Sequence, residues 1–295
     1  EYLQMHGWGN QKTHYYGHTR AWSQAGAALS SLIAAFLVFW RGSYAPIFLF
    51  TIIPYVLDLG LILSYPKELD GQRHHSDRTI AEEFAFVFNS LWKSIKKGDL
   101  WRAIANQALY SGYYKAFKDY LQPILKSFAL AIPVLLALQD DQRTAIITGV
   151  IYAILYALTA WASSSSGKIS RRYHTLAVPL NRYLVAGILC GIISGVAYLL
   201  GVPIIAILFY IGIYLVENLR KPMGIAYVTE RMEQSSMASA LSVESQAETL
   251  FAVFIALLLG FFSNMMGLGA GLLVVSGICL VLAFLLRLPV EPKES

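Results

Sequence analysis

The chain has 295 residues, of which 56% are apolar and only 14% charged, against ~25% charged in a soluble domain. That composition excludes an ordinary water-soluble, disordered or disulfide-stapled protein. At ~20 residues per crossing it provides for about eight membrane-spanning helices. The net charge of +5 would raise the question of nucleic acid in a soluble protein, but here it is first a matter of membrane topology.

In chain order, residues 1–20 carry no basic n-region and no cleavage site, so they are not a signal peptide. Polar, aromatic, His-rich and without helical period, they read as a loop in an N-terminally truncated chain. Eight apolar segments follow: 22–40, 45–65, 102–125, 144–163, 181–201, 203–227, 243–263 and 267–287. The third is ambiguous, because a helix over 101–138 would be about 57 Å long at 1.5 Å per residue. Pro123 and Pro133 are expected to break it. The stretch 66–100 is the only long polar one. In it Ile80, Phe84, Phe88, Leu91, Trp92 and Ile95 recur at helical spacing, which suggests an amphipathic helix on the membrane surface or packed on the domain itself. Cys190 and Cys279 lie in apolar runs as small hydrophobic fillers. Gly187, Gly191 and Gly195 recur every four residues, the spacing of close helix approach.

With eight crossings the intervals alternate sides. Eighteen of the 23 Lys and Arg then fall on one side, only Arg41 and Arg143 on the other, and three inside the third span. The positive-inside rule puts both ends of the chain and the 66–100 linker in the cytoplasm. The charge is therefore topology and lipid contact, with no nucleic-acid partner.

Several segments are similar to those of the major facilitator superfamily of transporters. RAWSQAGAALSSLIA (20–34) resembles the start of that family's fifth helix, and KDYLQPIL (118–125) the outer end of its seventh. GKISRR (167–172) resembles its Gly- and Arg-rich loop between helices eight and nine, and ERMEQSSMASALSV (230–243) the segment leading into helix eleven. The resemblance implies an all-α, polytopic membrane fold holding helices five to twelve of twelve. Residues 1–65 would be the remainder of the N-terminal half, 66–100 a cytoplasmic linker and 101–295 the complete C-terminal six-helix half. It also implies a gating loop at Gly167, Arg171 and Arg172, although the family's Asp and second Gly are missing there. A basic loop that only fixes orientation is the alternative reading.

Ionisable groups inside spans cost at least ~2.5 kcal/mol each at the bilayer centre, so they face cavities or one another. Gln107, Ser111, Tyr114 and Lys118 follow spacings of four, three and four, which puts them on one helical face with Tyr110 beside it. They read as a substrate-facing stripe; alternatively Lys115 and Asp119 neutralise each other while Lys118 snorkels outward. Tyr210, Tyr214, Glu217 and Lys221 form a second stripe, with Asn218 and Arg220 alongside. Glu217 is the first candidate for proton coupling and Asp119 the second; a structural ion-pair cluster is the alternative for Glu217. Tyr152, with Thr148, Thr159 and Ser163, marks a weaker polar face, and Glu244 and Glu248 lie four apart.

No metalloprotease, hydrolase-elbow, phosphate-loop or CxxC motif is present. His6, His14, His18, His74, His75 and His174 all fall in loops. No enzymatic site, metal site or cofactor is expected, and nothing resembles a channel filter. The sequence reads as a monomeric secondary active transporter of the cytoplasmic membrane that takes a small solute and protons. A membrane-embedded enzyme or lipid-handling scaffold is the alternative.

Overall fold

A computed structural model describes residues 7, 8, 11–65, 99–231 and 237–290, without the side chains of 99 and 237–240. The amphipathic helix expected within 66–100 lies almost wholly outside these. Among the described residues all regular structure is helical. The helices are α1 (Lys12–Arg41), α2 (Ala45–Phe50), α3 (Ile52–Leu63), α4 (Asp99–Lys118), α5 (Leu121–Ala131), α6 (Asp140–Ser170), α7 (Ala177–Leu199), α8 (Pro203–Thr229), α9 (Met237–Met266) and α10 (Leu268–Leu285). Among the described residues, seven stretches are long and apolar enough to cross a membrane: α1, α2 with α3, α6, α7, α8, residues 241–266 of α9, and α10. The chain is a multi-pass helical membrane protein in architecture.

Two expectations are corrected. Residues 12–20 are helical rather than loop, so His14 and His18 sit on α1. In this extension Thr13 and Gly17 are buried, Gly17 against α6. At Gly17 an added Cβ would meet the backbone of Ser163, and at Gly167 it would come within 3.1 Å of His14. Apolar periodicity does not report packing through small and polar residues. Likewise, Gly167 belongs to the last turn of α6, and only Arg171 and Arg172 lie in the turn beyond it.

The prolines act where their ring chemistry dictates. A helical proline removes an N–H and collides with the carbonyl four residues back. Pro123 would strike Asp119, and α4 ends at Lys118, before α5 starts at Leu121. Pro133 forces Ile132 into an extended conformation (ψ 138°), which stops α5. Pro54 has the same relation to Phe50, where α2 gives way to α3. At the end of α5, the buried Arg143 donates from Nη2 to the carbonyls of Leu130 (3.3 Å) and Ile132.

α1 packs along α6, and α4 lies against α8 and α9, with α7 bridging α8 and α10. α2 and α3 bury no residue. α4 is too polar to qualify as a span by composition, yet it is the most interior helix: Ile104, Leu109, Tyr110, Tyr113 and Phe117 are all fully buried. The glycine row of α7 explains how α4 fits. A Cβ at Gly187 or Gly191 would land on the hydroxyl of Tyr110 or of Tyr113, so these two glycines admit tyrosine rings. Only Gly195 brings backbones together, with the Gly269 carbonyl 2.9 Å from where its Cβ would be.

Candidate functional site

A helix as polar as α4 can be buried only if its polar groups find partners, since an unpaired one costs several kcal/mol in an apolar medium. The partners come from α8. Arg220 is fully buried and spreads its planar fork over α4 and α7. Nε donates to the Leu180 carbonyl (3.2 Å), Nη1 to Gln107 Oε1 (3.1 Å), and Nη2 to the Asn106 carbonyl (2.9 Å) and to Asn106 Oδ1. Its guanidinium lies 5.3 Å from the Tyr110 ring centroid. The chain of bonds continues inward. Gln107 Nε2 donates to Ser111 Oγ (3.3 Å), and Ser111 Oγ donates to Glu217 Oε1 at 2.9 Å. Glu217 is 2% exposed, and its other oxygen, Oε2, is buried without a hydrogen-bond partner among the described residues.

One turn on, Lys221 Nζ bridges Glu244 Oε1 (3.2 Å) and Glu248 Oε2 (2.5 Å), and Glu248 Oε1 takes Lys115 Nζ at 2.9 Å. Lys115 therefore pairs across to α9 rather than with Asp119. From α1, Arg20 Nε donates to Asn218 Oδ1 (2.9 Å), while Gln24 Oε1 accepts from Thr159 Oγ1 (3.0 Å). Four helices thus contribute charge to one centre: α1, α4, α8 and α9.

Beside this polar centre stands an aromatic wall of Tyr114 edge-on to Tyr214 (centroids 5.0 Å apart) and Tyr152 stacked on Tyr156 (5.9 Å). Some of these hydroxyls have structural work. Tyr210 donates to the Phe117 carbonyl (2.5 Å) and Tyr214 to that of Lys118 (2.9 Å). These are carbonyls of the last turn of α4, where the break at Asp119 ends the helical ladder; that of Phe117 also accepts from the Tyr120 N–H (2.9 Å). Tyr110 donates to the Ile213 carbonyl at 3.1 Å. Lys118 and Asp119 are exposed at the far end of α4, away from Glu217. Gln107, Ser111 and Tyr114 are the members of the first stripe drawn to the carboxylate.

At the opposite end a cavity of about 350 Å³ opens between the start of α1, the end of α6 and the end of α8. Its walls include His14, Arg171, His174, Glu230 and Arg231. Although Glu230 keeps exposed surface, the enclosing walls hold its carboxyl above the ordinary range, with Arg231 and Lys12 pulling the other way. Arg172 follows Arg171 in the same turn. No cluster of metal-ligating side chains occurs among the described residues.

Sequence reasoning did not single out Arg20, which it counted only as a topological charge, or Asn106. Neither belongs to a stripe, and Arg20 meets its partner 198 positions away.

Comparison with known proteins adds no identity: no family model, curated protein or solved structure matches the chain.

Proposed function

We propose that the protein is a secondary active transporter of the major-facilitator type, moving a small solute by alternating access and coupled to protons through Glu217. One observation carries this reading: a buried carboxylate with one oxygen bonded to Ser111 and the other unpartnered, at the meeting point of four helices. A protein that only needed stability would replace such a group or complete its bonds. A carrier needs a group whose charge is tolerated in one conformation and removed by a proton in the other. Besides its packing along α6, α1 makes polar contacts near this centre that fit the same reading: Arg20–Asn218 and Gln24–Thr159 are hydrogen bonds that a rocking motion can break and remake. Arg171 and Arg172, at the rim of the basic cavity, act as the cytoplasmic gate, with both ends of the chain on that side of the cytoplasmic membrane.

The test is reconstitution. Proteoliposomes carrying the complete protein under an acid-outside gradient are expected to accumulate solute from a labelled panel. Glu217→Gln mimics the protonated form and should abolish uphill accumulation while leaving energy-independent exchange. Full accumulation by Glu217→Gln would remove the proton-carrying role. Turnover of lipid with no solute movement would replace the transporter by a membrane enzyme.

A further inference from the structure

α7 and α10 are joined at their two ends by different means. Towards Gly195 and Gly269 their backbones touch. At the other end the link is a side chain. The buried Asn181 donates from Nδ2 to the Leu288 carbonyl (2.9 Å) and accepts the Leu288 N–H at Oδ1 (2.9 Å), while Asn106 Nδ2 donates to the Leu286 carbonyl (2.9 Å). A side chain spanning the gap leaves more room than a backbone contact. A groove of about 310 Å³ opens there, lined by Asn181, Arg182, Val185, Ala283, Phe284 and Arg287.

Helical register stacks two chemistries in this groove. Ala283 is buried, Val185 half-buried and Phe284 60% exposed. Each arginine stands three residues from an apolar neighbour, on the side toward the end of the bundle: Arg182 before Val185, Arg287 after Phe284. Arg182 lies about 7.5 Å inside the start of α7 at 1.5 Å per residue. Helical side chains tilt toward the N-terminus, and its long stem carries the guanidinium further outward. Arg287 is already past the end of α10, fixed between the pinned backbones of Leu286 and Leu288. Both arginines are exposed, and among the described residues no carboxylate pairs with either. Lys168, Arg171 and Arg172 stand at the same end, where α6 turns into α7.

We propose that this groove seats one anionic glycerophospholipid of the cytoplasmic leaflet, with its phosphate across Arg182 and Arg287 and an acyl chain along Val185 and Phe284. Two cations alone would suit any oxyanion, and a guanidinium fork matches phosphate oxygens. An apolar floor one turn deeper suits an oxyanion with a chain attached, and cation above, hydrocarbon below is the depth order of a lipid at a basic pocket between spans. The exposed Phe284 then faces acyl chains rather than water. The site needs no solute transport, only the bilayer beside α7 and α10.

The test titrates the complete protein, purified in a maltoside detergent, with dioleoylphosphatidylglycerol, dioleoylphosphatidylcholine and glycerol phosphate. Melting is followed by intrinsic fluorescence, and bound lipid is counted by native mass spectrometry. Phosphatidylglycerol should bind as one tight equivalent and raise the melting temperature; phosphatidylcholine and glycerol phosphate should do neither. Arg182→Gln and Arg287→Gln should each weaken that equivalent about fivefold, the loss expected per cation at an anionic lipid surface. Lys168→Gln, at the same end but outside the groove, should leave it within about twofold. Val185→Trp keeps both arginines but fills the groove, and should abolish the tight equivalent. If Val185→Trp fails to fold, the probe series on the native protein and the arginine variants still decide. Equal binding of the two lipids, glycerol phosphate stabilising as well as phosphatidylglycerol, tight binding retained by Val185→Trp, or a loss in Lys168→Gln as large as in an arginine variant would overturn the proposal. So would the absence of any anionic preference, the result expected if Glu291 or Glu294 already holds the arginines.

Discussion

Replacing Arg220 by Met, which keeps the length but removes the fork, is expected to destabilise the fold more than any other substitution in the central site. Four acceptors lose their donor: the carbonyls of Leu180 and Asn106, Gln107 Oε1 and Asn106 Oδ1. Interhelical hydrogen bonds in membrane proteins average ~0.6 kcal/mol each, so four of them set a floor near 2.5 kcal/mol. The acceptors are also left buried, and Glu217 loses a neighbouring cation. Breaking a buried charged network by removing one partner costs ~3–5 kcal/mol, which sets the ceiling. Arg220→Lys should lose about half as much, because one ammonium on a flexible stem cannot span acceptors on both α4 and α7. In the double variant Glu217→Gln with Arg220→Met the losses should be less than additive, by ~0.5–2 kcal/mol, because the uncompensated carboxylate is gone. The assay is reversible denaturant unfolding of the full chain in mixed micelles, followed by far-ultraviolet circular dichroism. If Arg220→Met lies within about 1 kcal/mol of the native protein, the fork is not what holds α4 in the bundle.

Gly191→Ala places a methyl group on the Tyr113 hydroxyl, itself 2.9 Å from Ser276 Oγ, and overpacking of this kind costs ~1–3 kcal/mol. Adding Tyr113→Phe removes the worst overlap and leaves only Ser276 Oγ, 2.7 Å from the new methyl, to turn aside, so the double variant should melt higher than Gly191→Ala alone; a further drop would refute the close fit. Arg143→Met leaves the Leu130 and Ile132 carbonyls without their donor and should cost ~1–2 kcal/mol, with the loss of protection from hydrogen exchange concentrated in residues 127–133. Uniform loss of protection across the chain would show that the residue does more than hold the end of α5.

The helices were legible in the sequence because the bilayer imposes a length and an apolarity on each, and the two polar stripes because 4-3-4 spacing fixes a face. That rule carried Gln107, Ser111 and Glu217 to one place. It failed at Lys118 for a local reason: Pro123 ends the helix just beyond it, so the residue sits on an exposed turn rather than on the continuation of the stripe. The same break changes the meaning of Tyr210 and Tyr214. Spacing shows that they face α4, but not that α4 stops there and exposes carbonyls for their hydroxyls to cap. Arg20 was illegible for a different reason. Its partner lies on the other side of the fold, on a stretch of α1 held helical by Gly17 and Gly167, whose small size lets α1 and α6 touch while adding nothing to an apolar period. A pattern within one helix reports which way a side chain faces. What charge it meets there depends on how closely the next helix can approach, and in this chain glycines on α6 and α7 set that distance.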